Sequence, residues 1–281
     1  MLCGQSHSTY PKRFEGKVCV VTGGAKGIGA AISSRLGIEG CTVFIADIDE
    51  AAGRIREGIF RNEGIDAHFV NVDVSKETDV EKLMRLAGGS RGKIDVLVNN
   101  AGIPFTGNDL EKQSSEEFMR IIGTNLYGPW ICAKHSLKYM KKDGGVIINI
   151  ASTRAYQSEE NTEPYSASKG GILALTHALA ISLSKYRIRV ISVSPGWIDT
   201  SEWQIPPRKP KLNELDHIQH PAGRVGKPED VASLIAFLAS SEAEWITAAD
   251  FIIDGGMTKK MIYLDEEIIK RAIEALNRGT S

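Results

Sequence analysis

The chain has 281 residues, 42% apolar and 25% charged, a globular composition that excludes disordered, collagen-like and disulfide-scaffold classes. With 34 basic and 35 acidic residues the formal charge is −1, so no global field draws nucleic acid or an anionic membrane, and neither is expected as a partner. No run of about 18 apolar residues could span a bilayer, the first residues lack an apolar signal core, and Leu2 in place of Gly excludes myristoylation.

In chain order, Val- and Ile-rich runs at 17–22, 41–46, 67–72, 94–99, 145–150, 189–194 and 250–253 read as strands covered on both faces. Helical periodicities fill the intervals at 28–39, 50–62, 76–86, 115–140, 165–186 and 228–239. This alternation predicts one α/β domain over residues 15–256. It would be a Rossmann-like, doubly wound fold with about seven parallel strands and helices on both faces. Residues 200–226 carry Pro206, Pro207, Pro210 and Pro221 without periodicity, and read as a substrate lid. Residues 1–14 read as a loose leader. In the tail at 257–281, Asp265 can cap a helix whose Ile268, Ile269, Ala272, Ile273 and Leu276 form one stripe. Cys3, Cys19, Cys41 and Cys132 show no C-x-x-C or metal-ligand spacing. They are expected as reduced thiols of a cytoplasmic protein, with Cys19 and Cys41 as small core residues, and no metal is expected.

The first strand runs into T-G-G-A-K-G-I-G, with Gly23, Gly27 and Gly29, and a helix opens at Ile28. Glycines allow a tight turn, and free N–H groups at a helix start suit a pyrophosphate. The spacing is not G-x-G-x-x-G, and a tight turn without ligand remains the alternative. The second strand ends at Asp47, 18 residues after Gly29, where a carboxylate can accept from ribose hydroxyls. A 2′-phosphate at ~4 Å from it would cost about 4 kcal/mol at an effective dielectric of ~20, before screening. NAD is therefore favoured over NADP. Lys26 pulls the other way, but Ile48 and Asp49 follow Asp47 rather than a cation. A helix N-cap is the other role open to Asp47.

Tyr165 and Lys169 stand four apart in Y-S-A-S-K, on one helix face. An ammonium at ~5 Å would favour phenolate by about 3 kcal/mol, making an acid/base that works near neutrality. Two surface residues would give the same spacing. Ser152 ends the fifth strand, where open parallel sheets bind ligands, and can hydrogen-bond a substrate oxygen or cap a turn. No His–acid partner suggests a Ser nucleophile.

With these motifs in order, the chain resembles the short-chain dehydrogenase/reductase family over roughly residues 14–256. The carriers are T-G-G-A-K-G-I-G at 22–29, D-V at 73–74, N-N-A-G at 99–102, Asn125, Ser152, Y-S-A-S-K at 165–169, P-G-W-I-D-T at 195–200 and I-D-G-G at 253–256. The resemblance implies a catalytic set of Asn125, Ser152, Tyr165 and Lys169. Tyr165 would exchange a proton with the substrate oxygen while hydride moves between carbinol carbon and nicotinamide, and Ser152 would steady that oxygen. It implies Gly23, Lys26, Gly27, Ile28 and Gly29 at the pyrophosphate, Asp47 at the adenosine ribose with Ile48 following it, and Asp73 and Val74 at the adenine. Asn99, Ala101 and Gly102 would lie beside the adenosine ribose and support the central strand. Asn125 would hold a kink and a water, and Lys169 the nicotinamide ribose. Ile198 and Thr200, after Pro195 and Gly196, would meet the carboxamide. It implies a homotetramer, or a homodimer, packed through 115–140 and 165–186.

The substrate wall should come from Thr153, Arg154 and Gln157, from Pro104–Thr106 and from the lid at 197–203. Arg154, Glu159 and Glu160 make it polar, favouring a sugar, polyol or small hydroxy compound, as in glucose 1-dehydrogenase-like members; a solvated rim would carry the same charges. The alternatives are a 3-oxoacyl-thioester or hydroxysteroid reductase and, in another class, a non-catalytic dinucleotide-sensing regulator.

Overall fold

The computed structural model describes residues 12–104, 107, 109–261, 267, 269–271, 273 and 274. Its seven strands are β1 (Val18–Thr22), β2 (Thr42–Asp47), β3 (Ala67–Asn71), β4 (Val96–Asn99), β5 (Gly145–Ile150), β6 (Ile188–Pro195) and β7 (Asp250–Ile253). All pair in parallel in the order β3-β2-β1-β4-β5-β6-β7. The order reverses between β1 and β4, which opens a crevice at their carboxyl ends. The helices are α1 (Gly27–Ile38), α2 (Glu50–Asn62), α3 (Glu77–Arg91), α4 (Ser115–Ile122), α5 (Gly128–Met140), α6 (Glu163–Leu183), α7 (Glu214–Ile218) and α8 (Pro228–Ala239).

Strands β1 and β4 are buried along their whole length, because helices cover both faces. One core cluster gathers Val21, Ile32, Leu36, Ile148 and Ile235 on one side of the sheet. The other gathers Val20, Leu83, Leu97, Ile131 and Val190. No helix among the described residues is long and apolar enough to cross a membrane.

Three expectations change. The stretch expected as one helix over 115–140 is two, separated by a π turn at Gly123–Tyr127 that contains Asn125. The lid region contains a short 3₁₀ turn, Ser201–Trp203, and α7. Cys19 and Cys41, expected as reduced thiols, form a disulfide with a Cα–Cα distance of 6.2 Å. Sequence spacing hid this pairing, because β1 and β2 meet only in the sheet. Cys132 is free, and burial pushes its thiol up to about 12. The expected leader and most of the tail helix lie outside the described residues, as do Phe105 and Thr106 of the expected substrate wall.

Candidate active site

The phosphate loop leaves β1 at Thr22. Its hydroxyl accepts the backbone N–H groups of Asn100 (3.0 Å) and Ala101 (3.1 Å), tying the ends of β1 and β4 together. The Asn100 amide donates to the carbonyls of Thr22 and Gly23, both at 3.0 Å. Gly23 and Gly27 have φ of +62° and +56°, which side-chain-bearing residues adopt at a cost. A Cβ on Gly29 would stand 2.1 Å from the Gly23 carbonyl oxygen, so only glycine lets α1 approach this closely. Lys26, the N-cap of α1, offers no side-chain cap, which leaves the first N–H groups of the helix facing the crevice. A cradle of this shape and polarity fits a dinucleotide pyrophosphate.

At the end of β2, Asp47 accepts from the N–H groups of Ala25 (Oδ2, 3.1 Å) and Asp49 (Oδ1, 3.1 Å). The helix cap is Asp49, which accepts from Ala52 N–H, so the N-cap alternative for Asp47 lapses. Lys26 Nζ is paired with Asp49 at 2.8 Å. Ile48 is 69% exposed on the rim, and Val74 is buried. Burial would raise the Asp73 carboxyl, but the Ser75 hydroxyl and N–H and the Lys76 charge hold it below the usual range.

Asn99 does not face the crevice. Its amide donates to Asn149 Oδ1 at 2.8 Å in the helix–sheet interior, and its neighbour Asn100 lines the cleft instead. Asn125 sits in the π turn. Its Oδ1 accepts Ile103 N–H at 2.7 Å, and its Nδ2 donates to Ile103 O at 3.0 Å and Ser168 Oγ at 3.1 Å. It thereby joins the loop after β4 to α6. Gly102 lies between Asn125 Oδ1 and Lys169 Nζ, where a Cβ would stand 3.5 and 3.7 Å from them.

Lys169 is buried. Its Nζ donates to Ile150 O at 2.8 Å and lies 5.5 Å from the centre of the Tyr165 ring. Burial pushes its amine down to about 8. Tyr165 departs from expectation: desolvation raises its phenol above the ordinary value, while the hydrogen bond from Ser152 and the Arg154 charge pull it back down. Ser152 caps the 3₁₀ turn Thr153–Ala155, its Oγ accepting Arg154 N–H at 3.2 Å. Ser152, Tyr165, Lys169, Gly102, Asn100 and Gly196 line one cleft of about 180 Å³. Ile28, Pro104, Ile150, Ala151 and Pro195 complete its wall.

Beyond Gly196, Ile198 pairs with Gly226, and Thr200 lies over the phosphate loop, 3.4 Å from where a Gly27 Cβ would be. Arg56, which the motifs do not single out, holds this closure. Its Nε donates to Ala25 O (2.9 Å) and its Nη2 to Trp203 O (3.0 Å), and its guanidinium lies 5.4 Å from the Trp203 ring. The sequence does carry a signal: Ala52, Arg56 and Phe60 recur every four residues on the buried face of α2.

The chain is similar to known proteins in sequence and in fold. A family model described as Enoyl-(Acyl carrier protein) reductase matches residues 23–258. An uncharacterized oxidoreductase of Thermotoga maritima is 55% identical over 254 residues, covering 89% of this chain and 99% of the relative. Cis-4-hydroxycyclohexanecarboxylate dehydrogenase of Sinomonas cyclohexanicum is 37% identical, covering 87% and 98%. The crystal structure of 3-ketoacyl-(acyl-carrier-protein) reductase from Brucella melitensis complexed with NADH superposes with a TM-score of 0.78 at 34% identity, covering 87% of this chain and 99% of that one.

Proposed function

Since the chain belongs to the short-chain dehydrogenase/reductase family and is an oxidoreductase acting on CH–OH groups with a nicotinamide dinucleotide, we propose that Tyr165 is its acid/base, working on a secondary alcohol or ketone of the sugar, polyol or small hydroxy class. One observation carries the assignment: Ser152, Tyr165 and Lys169 converge on a single cleft beside Gly102 and Gly196. The bound nicotinamide would exchange hydride with the carbinol carbon. Ser152 would hold the substrate oxygen while the Tyr165 oxygen takes its proton in oxidation or returns it in reduction. Lys169 and Asn125 would keep that oxygen in register. Burial raises the phenol above its ordinary value, which favours its protonated form. The positive charge of an oxidised nicotinamide would favour phenolate for oxidation.

We infer NAD rather than NADP. The Asp47 carboxylate stands at the end of β2, and the nearby cation Lys26 is already engaged by Asp49. Around the dinucleotide the reading assigns Gly23, Gly27 and Gly29 to the pyrophosphate, Asp73 and Val74 to the adenine, and Ile198 and Thr200 to the carboxamide.

Tyr165→Phe should abolish turnover and keep NADH binding, measured by nicotinamide fluorescence and steady-state oxidation. Undiminished turnover would overturn the assignment.

A further inference from the structure

We propose that Asn149 and Thr176, which do not line the catalytic cleft, are positioning residues that fix the register of α6 against β5 and so aim Tyr165 and Lys169 at the reacting oxygen. This rests on the dehydrogenase reading above and extends its machinery by two buried side chains. Asn149 is fully buried in β5, and Thr176 is 1% exposed in α6. The Asn149 amide donates to the Thr176 hydroxyl at 2.9 Å, and its Oδ1 accepts Asn99 Nδ2 at 2.8 Å from the facing position of β4. Ile150, the next residue of β5, lends its carbonyl to Lys169 Nζ at 2.8 Å. One strand end therefore holds α6 at two points, Lys169 and Thr176.

Tyr165, Lys169, Ile172 and Thr176 follow at intervals of four, three and four residues, which is one face of a helix. The two holds lie about 10 Å apart along the axis, at ~1.5 Å per residue. A single hold would let the helix pivot, and the buried Ile172 between them packs without a preferred direction. Two hydrogen bonds to consecutive residues of one strand set both rotation and translation. The arrangement is costly where it stands. Buried amides and hydroxyls need partners, and Asn99 Oδ1 has none among the described residues. An apolar trio would pack these positions without that penalty. Polar networks of this kind specify one arrangement of a core. Here the arrangement specified is the one that places Lys169 Nζ 5.5 Å from the centre of the Tyr165 ring.

The experiment has two arms. In the first, Thr176→Val keeps the shape and removes the acceptor, while Thr176→Ser keeps the hydroxyl. Turnover is measured with NAD on a panel of polyols, sugars and small hydroxy compounds, and kcat is expressed per NADH-binding site so that misfolded chains do not count. Thr176→Val should lose about 10–100-fold in kcat, the range that misplacing the reacting groups by up to ~1 Å produces. Substrate KM and NADH Kd should stay within about twofold, since the lost interaction serves the transition state alone. Thr176→Ser should restore kcat to within about threefold of the wild type. Should Thr176→Val fail to fold, the pair Asn149→Leu with Thr176→Val, which removes the amide as well as its acceptor, carries the same expectation. In the second arm, crystal structures of the wild type, Thr176→Val and Thr176→Ser with NADH are compared, which needs no turnover. Thr176→Val should lose the hydrogen bond from Lys169 Nζ to Ile150 O, and Thr176→Ser should keep it. An unchanged kcat per site, equal damage by Thr176→Ser and Thr176→Val, or that bond intact in Thr176→Val overturns the proposal. A wild type that turns over nothing on the panel counts against the dehydrogenase reading, and the second arm then decides the register on its own.

Discussion

At Tyr165 and Lys169 burial works against the charge that catalysis uses. An ammonium four residues on was expected to acidify the phenol, but the pocket that brings the two together also desolvates both. Lys169 yields a stability prediction. Its amine titrates near 8 in the fold and at the ordinary lysine value when unfolded, so between those values the unfolded chain binds more protons. Stability conferred at this site is therefore lowest below pH about 8, where the buried amine is charged, and rises with pH above it. Relative to Lys169→Met, the wild type should gain about 2 kcal/mol between pH 8 and 10 in denaturant unfolding. Parallel profiles would show that the amine is not desolvated. Asp47 supports a second prediction. Asp47→Ala should raise the ratio of kcat/KM for NADP over NAD by at least about tenfold, because a like charge near the 2′-phosphate site is removed. A wild type that already prefers NADP would contradict this.

Among the elements, α2 does more than cover the sheet. Through Arg56 it clamps the phosphate loop at Ala25 to the base of the lid at Trp203, whose indole N–H in turn donates to Glu229 of α8 at 2.7 Å. Loop and lid are thus held by one guanidinium that has no acid within ion-pair distance among the described residues. Arg56→Met keeps the packing and removes both hydrogen bonds. NADH should then bind about fivefold more weakly, near 1 kcal/mol. An unchanged Kd would mean that the two hydrogen bonds of Arg56 are not needed to hold the lid.

The whole molecule leaves apolar side chains on the outer faces of α4, α5 and α6: Met119 is 62% exposed, Trp130 41% and Ile181 73%. The core beneath is already filled, so these exposed apolar side chains on three helices are available for contact with other copies of the chain. We predict a homotetramer assembled through these helices. Light scattering at micromolar concentration should give four times the chain mass, and a monomer would contradict it.

The residue pattern was enough for the parallel alternation, the glycine cradle, and the Ser152, Tyr165 and Lys169 set. Strand burial, backbone freedom and one-turn helix spacing are local properties written in short stretches of chain. Arg56 was half legible, since its register on α2 marked it as buried but nothing marked what it holds. The exchange of Asn99 for Asn100 at the cleft depended on strand facing, because adjacent residues point to opposite sides of a sheet. The Cys19–Cys41 bond and the raised Tyr165 phenol could come only from the packed structure. Both depend on which groups distant in sequence are brought side by side, and on how much water their neighbours exclude.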